Sequence, residues 1–251
     1  MKKYTTYCWW TGDNELTENR KKSLESMKSA PGGNIVFIDN KNLSDYILPD
    51  FPLHEGYQYL SPVQKGDYLK CYFMHHYGGG YSDIKRTSGP WHKYFDRIYE
   101  NPDLYAIGYS EKSSDHVACL EECRLDPRDS KHCRVNTLDD SGTNWSSKHL
   151  KENWTKLIGC GLMICRKNTP FTLDWWNALN EKMDAYLPEL KKYPAQWSRD
   201  SYNHINPNTG ENSKYPIAWA VLHGHVFHPL TLKYSKNIDQ DLTYPVMGDY
   251  Q

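Results

Sequence analysis

The sequence predicts an α/β fold built on a mostly parallel sheet flanked by helices, and three observations carry that expectation. Residues 4–39 read as strand, helix, strand, the succession that favours parallel pairing. Apolar or aromatic segments then alternate with segments of helical period as far as residue 229. A length of 251 residues suits one domain with a sizeable core, and no internal repeat suggests another architecture.

Each element has its own signal. Residues 4–10 are β-branched and aromatic and end at the turn Thr11-Gly12-Asp13. Thr17 is placed to cap a helix reaching about Lys28, with Leu24 and Met27 on its inner face and Pro31-Gly32-Gly33 as its stop. Residues 34–39 read as a second, buried strand, so Trp9, Trp10 and Asp39 fall near the carboxyl rim where such sheets hold ligands. Trp9 and Trp10 point to opposite faces, so one of them belongs to the core. The next helix is the best defined: Ser61 is a natural N-cap, Pro62 a natural first residue, and Gly78-Gly79-Gly80 closes it. Along it Leu69, Tyr72, Phe73 and His76 recur at helical spacing, while Asp67, Lys70 and Met74 form another stripe. Residues 81–86 then read as a strand end opening into a site.

Residues 91–100 look helical and 104–109 extended. The stretch 110–153 is polar and aperiodic, an inserted lobe or lid and not a second domain. It separates a first half, 1–109, from a second, 154–251. Residues 157–164 return to buried strand character, and Thr169-Pro170 opens a helix carrying Phe171, Trp175, Leu179 and Met183. After a polar, turn-rich stretch at 196–214, a helix over 216–222 and a strand alternating His225 with Phe227 close the pattern.

Composition narrows the function. With 30 Lys+Arg against 31 Asp+Glu the net charge is −1, which disfavours a nucleic-acid footprint or a polybasic membrane anchor. Mean hydropathy is −0.82, yet aromatic residues reach 14%, so the chain is folded and not disordered. Twenty Tyr and nine Trp offer flat surfaces suited to sugar rings and nucleobases. No apolar run is long enough to span a membrane, and the start lacks the apolar stretch of a signal peptide. Seven scattered cysteines fit a reducing cytosol, with free thiols as the expectation. Cys119, Cys123 and Cys133, with His116 and His132, are a candidate zinc site whose spacing departs from the usual patterns.

The central run Ser61-Pro62-Val63-Gln64-Lys65-Gly66-Asp67-Tyr68-Leu69-Lys70, then Tyr77-Gly78-Gly79-Gly80-Tyr81-Ser82-Asp83-Ile84-Lys85, resembles the signature of nucleotide-sugar glycosyltransferases of the capsular polysaccharide synthesis type and of the mannosyltransferase-like families with a D-x-D sugar-binding motif. Cys8-Trp9-Trp10-Thr11-Gly12 and the segment from Ile35 to Asp50 are similar to the upstream pattern of those families. The resemblance covers residues 4–95, with weaker echoes near 159–167 and 219–229. It implies a GT-A-like, Rossmann-like fold and transfer of a sugar from a nucleotide diphosphate donor, most naturally a UDP-sugar, to a glycan acceptor in surface polysaccharide or glycoprotein glycan synthesis.

By that resemblance Trp9 stacks on the base, Asp67 lies near ribose and sugar, and Lys70 stands where the families usually have Arg. Tyr81 and Asp83 match the D-x-D strand, and the second Asp, typically the ligand of Mn²⁺ or Mg²⁺, is Lys85 here. Chemistry gives the same position a second reading. Cleaving a sugar–phosphate bond leaves negative charge on a diphosphate, which Lys85 and Arg86 could balance without an ion. A reduced metal site on Asp83, completed by a late residue such as His225, is the alternative. The candidate catalytic residues are therefore Asp83 and Lys85, with Asp200 as general base if the reaction inverts. Trp145, Trp154, Trp197 and Tyr202 are candidate acceptor contacts. Two rivals remain: a degenerate protein that binds nucleotide sugar or glycan without turnover, and a glycoside hydrolase using Asp67 and Asp83.

Overall fold

In the computed structural model, which describes residues 4–29, 34–87, 91–119, 146–244 and 246, the first strand organises the sheet. Strand β1 (Thr5–Trp10) pairs in parallel with β2 (Asn34–Asp39) on one side and β3 (Gly79–Ser82) on the other. Beyond β3 lie β5 (Ile158–Cys165), β4 (Ala106–Ser110) and the short β6 (Ile238–Asp239), giving the order β2-β1-β3-β5-β4-β6. Strand β5 is antiparallel to both neighbours, and the other five share one direction. This is the mostly parallel α/β sheet the sequence predicts.

Helices cover both faces. Helix α1 (Glu18–Ser29) starts where Thr17 Oγ1 accepts the Arg20 N–H at 3.3 Å, and it buries Leu24 and Met27 against Cys8 and Ile84. On the same face, α3 (His92–Glu100) packs Tyr94, Phe95 and Ile98 against Ile107 and Leu162. The opposite face receives Tyr7, Trp9, Tyr81 and Met163, which meet α2 (Pro62–His76), α5 (Pro170–Lys192) and α6 (Gly224–Lys233) in the main core. Strand alternation thus sorts the side chains of β1 between two cores. A short helix α4 (Ser147–Glu152) lies in the carboxyl-side flank of the predicted lobe, capped by Ser146.

Helix α2 departs from the simple striped picture. From Gln64 to His75 nearly every residue is buried, because the helix is sandwiched between the sheet and α5. Its exit explains the glycine triplet. Gly78 and Gly79 have φ of +65° and +89°, and a Cβ on Gly79 would lie 2.7 Å from the Thr5 carbonyl oxygen. The left-handed backbone ends the helix, and the missing side chain lets β3 lie beside β1.

Three expectations fail. Strand β2 is at the sheet edge and mostly half-buried, with only Ile38 fully covered. Residues 216–218 are irregular and 219–223 form turns, so no helix covers 216–222, and His225 and Phe227 lie in helix α6 and not in a strand. Every residue of α6 from Gly224 to Leu232 is buried; a helix that is covered all round shows no stripe, so its period cannot be read from the sequence. The predicted stop at Pro31-Gly32-Gly33 lies outside the described residues.

Gly79→Ala combines strain at positive φ with a backbone clash, at a cost on the order of 2 kcal/mol. Thermal unfolding should show a Tm lower by roughly 4–8 °C for a domain of this size; an unchanged Tm would contradict the close approach of β3 to Thr5.

Candidate functional site

Strands β1 and β3 end side by side beneath α2, and five polar side chains meet there. Spacing of three residues puts Asp67 and Lys70 on one side of α2. Lys70 Nζ lies 2.9 Å from Asp67 Oδ1 and 4.0 Å from Asp83 Oδ1. Asp83 is the first residue after β3 and is tied to β5 by its N–H, which donates to the Gly161 carbonyl at 2.8 Å. Its Oδ1 accepts the Tyr81 hydroxyl at 2.6 Å, and its Oδ2 pairs with Lys85 Nζ at 2.9 Å. Asp67, Lys70 and Lys85 are 9%, 8% and 8% exposed. They are therefore not the solvated surface pairs that their spacing alone would allow.

Aromatic rings support this cluster from below. Trp9 stacks on Tyr81 with ring centres 4.4 Å apart and leans on Phe73 at 5.5 Å. Its Nε1 fits over Gly66, where a Cβ would come within 3.2 Å. Lys70 Nζ lies 5.2 Å from the centre of the Tyr81 ring. Trp9 is buried and joins the core, while Trp10 turns to the α1 face and donates its indole N–H to the Asn14 carbonyl at 2.6 Å.

The charges differ in character. Burial alone would raise the pKa of Asp83, but Lys70, Lys85 and the Tyr81 hydrogen bond outweigh it and hold the carboxyl below its ordinary range. At Asp67 burial prevails over Lys70 and pushes the pKa up. Burial would lower Lys70, yet Asp67 and Asp83 carry it above its ordinary value, so it stays cationic. Burial, reinforced by Asp83, raises the Tyr81 phenol and keeps it a neutral donor. Two carboxylates share one ammonium, and the one with a second ammonium stays ionised to lower pH.

Strand β5 is opened for the site by its glycines. A Cβ on Gly161 would lie 3.1 Å from Asp83 Oδ2 and 3.2 Å from the Tyr109 hydroxyl, and one on Gly159 would enter the Tyr109 ring. The residue between them, Cys160, turns the other way, with Sγ 3.6 Å from His228 Nε2, which is 3.4 Å from Glu111 Oε1. These three offer ligand atoms within 4.8 Å of one another, the spacing of a metal site. However, the Ala118 N–H donates to His228 Nδ1 at 3.0 Å, so Nδ1 is the bare nitrogen and the proton sits on Nε2. A protonated Nε2 cannot ligate a metal; the trio is a hydrogen-bonded cluster. Sequence reasoning missed Glu111, Cys160 and His228, although Glu111 directly follows β4 just as Asp83 directly follows β3. It also missed Arg20, whose Nη1 donates to the Ile84 carbonyl at 2.7 Å inside the turn that bears Lys85.

The remaining candidates stand apart from the five. Arg86 is exposed at the end of the same turn. Asp200 is fully buried, and its two oxygens accept the Gln196 N–H at 2.8 Å and the Ser213 hydroxyl at 2.6 Å, both in its own loop. His225 is buried in the first turn of α6, and the one cluster of metal-ligating groups among the described residues includes neither it nor Asp83. Trp154, Trp197 and Tyr202 are half-buried. Trp145, Cys123, Cys133 and His132 lie outside the described residues, while Cys119 is half-buried and His116 Nδ1 lies 3.9 Å from Glu111 Oε2. The donor set around Asp83 does not fit a hard divalent ion, which takes several oxygen ligands. Both Asp83 oxygens are already engaged, and the position of the second acid holds an ammonium.

Lys70→Met leaves Asp67 buried without its partner and should cost about 3–5 kcal/mol, read as a lower midpoint in urea. Asp83, with its depressed pKa, contributes stability that is present above the ordinary carboxylate range and lost as pH falls through its folded value. The stability difference between wild type and Asp83→Asn should therefore shrink as the solution is acidified. A difference that is constant with pH would count against the charged pairing.

Residues 2–120 match the family described as capsular polysaccharide synthesis protein. No curated protein and no solved structure matches the chain significantly. Among the described residues no helix is long and apolar enough to cross a membrane. Residues 2–120, the stretch that carries β1, α2, β3 and all five clustered side chains, are thus similar to the capsular polysaccharide synthesis family.

Proposed function

We propose that the chain is a glycosyltransferase that moves a sugar from a nucleotide diphosphate sugar, in the first instance a UDP-sugar, to a glycan acceptor. One observation carries this reading: two buried lysines, Lys70 and Lys85, bracket Asp83 at the carboxyl edge of a mostly parallel sheet. That edge is where open α/β sheets take their ligands, and fixed ammonium groups there meet the charge that develops on a departing diphosphate. A GT-A-like reading of the domain agrees with this placement. In it Asp67 and Asp83 accept hydroxyls of ribose and sugar, Tyr81 orients Asp83, and Arg86 adds charge at the mouth of the site. Trp9 supports Tyr81 and offers its edge to the base. The free thiols at Cys8, Cys71, Cys160 and Cys165 agree with a reducing compartment such as the cytosol.

The hydrolase alternative asks two carboxyl groups to face each other across a sugar. Asp67 and Asp83 instead hold the same ammonium between them. The non-catalytic alternative draws on the Asp83–Lys85 pair, which closes the carboxylate that a donor sugar would need. Slow release of free UDP from a UDP-sugar without acceptor would speak for turnover and against mere binding.

A panel of UDP-, GDP- and dTDP-sugars tests the reading by thermal shift. At about a hundred times its Kd the correct donor adds ~2.7 kcal/mol, a rise in Tm of roughly 5–10 °C. Free sugars should give none, and Asp83→Asn should abolish the response. Equal stabilisation by free sugars, or no response to any nucleotide sugar, would refute the proposal.

A further inference from the structure

We infer that Lys85 does the work of a metal ion: this chain binds the diphosphate of its donor through a built-in ammonium and needs no divalent cation. The inference rests on the nucleotide-sugar reading and adds how that site handles charge. Three observations support it. Lys85 is buried beside Asp83 rather than swung into solvent. Its Nζ contacts Asp83 Oδ2 at 2.9 Å, while Tyr81 takes Oδ1 at 2.6 Å, so the remaining carboxylate has no unengaged oxygen to give an ion. A cation entering beside Asp83 would also meet two ammonium groups, Lys85 and Lys70, within 4.0 Å of that carboxylate.

The turn is stiffened for the purpose. Arg20 reaches from α1 to the Ile84 carbonyl at 2.7 Å, between Asp83 and Lys85, which brings a third positive group to the same turn. On the other side Asp83 is fixed to β5 through the Gly161 carbonyl. A fixed ammonium in a water-poor setting stabilises phosphate oxygens without an ion's need to be bound first. When a diphosphate arrives, Lys85 can turn towards its oxygens as a fixed point charge beside Asp83.

The test is UDP binding by isothermal titration calorimetry, with EDTA and then with Mn²⁺. Wild-type affinity should change by less than about threefold between the two conditions. Lys85→Met should weaken binding by about tenfold or more in both, and Lys85→Arg should restore most of it. Lys85→Asp should bind poorly in EDTA and recover with Mn²⁺, because the substitution recreates a pair of acids for the ion. Wild-type binding that disappears in EDTA overturns the inference without a variant, as does a folded Lys85→Met protein that binds as tightly as wild type. Wild-type protein that binds no UDP in either condition overturns the nucleotide-sugar reading itself, and this inference with it.

Discussion

One buried ammonium, Lys70 Nζ, ties helix α2 to the end of strand β3. It comes from α2 and neutralises Asp67 on its own helix and Asp83 at the end of β3. A charge so deeply placed is tolerable only with such partners. The helix must therefore lie at a fixed height above the strand, and Gly66 is where it comes close enough to Trp9 to allow it. Trp9 and Tyr81, stacked on each other, set that height from the sheet side. Core packing and site geometry are here the same constraint.

Much of this could be read before any coordinates. Ser61-Pro62 and the glycines after Tyr77 delimit α2, since caps and breakers act locally. Asp67, Lys70 and Asp83 could be grouped because helical spacing and a strand end place them near one rim. Other parts depend on long-range contacts that leave no local trace. The reversed direction of β5 follows from which strands it joins, and not from its composition. Helix α6 is enclosed on all sides and carries no periodic stripe. Asp200 has the residue type of a general base, yet only the fold shows that Gln196 and Ser213 use its oxygens. Cys160 and His228 are 68 residues apart, and no spacing rule joins them.

The tautomer of His228 shows how a backbone group can decide the chemistry of a side chain. Histidine, cysteine and glutamate at these distances have the residue types of a zinc centre. A single peptide N–H, from Ala118, turns the imidazole into a donor towards Glu111 and Cys160. The cluster then fastens the chain that follows β4 to helix α6, beside the residues that hold Asp83.

The antiparallel course of β5 has one more consequence. Because that strand runs backwards, its first residues lie beside the last residues of β4, and the Glu111 N–H donates to the Leu157 carbonyl at 3.1 Å. The long insert between them leaves and re-enters the sheet through a single clasped neck. Lengthening or shortening a loop closed in this way costs only a term logarithmic in its length. The neck thus behaves as a socket, at which the chain between β4 and β5 can change in length while the charges beside β3 remain where they are.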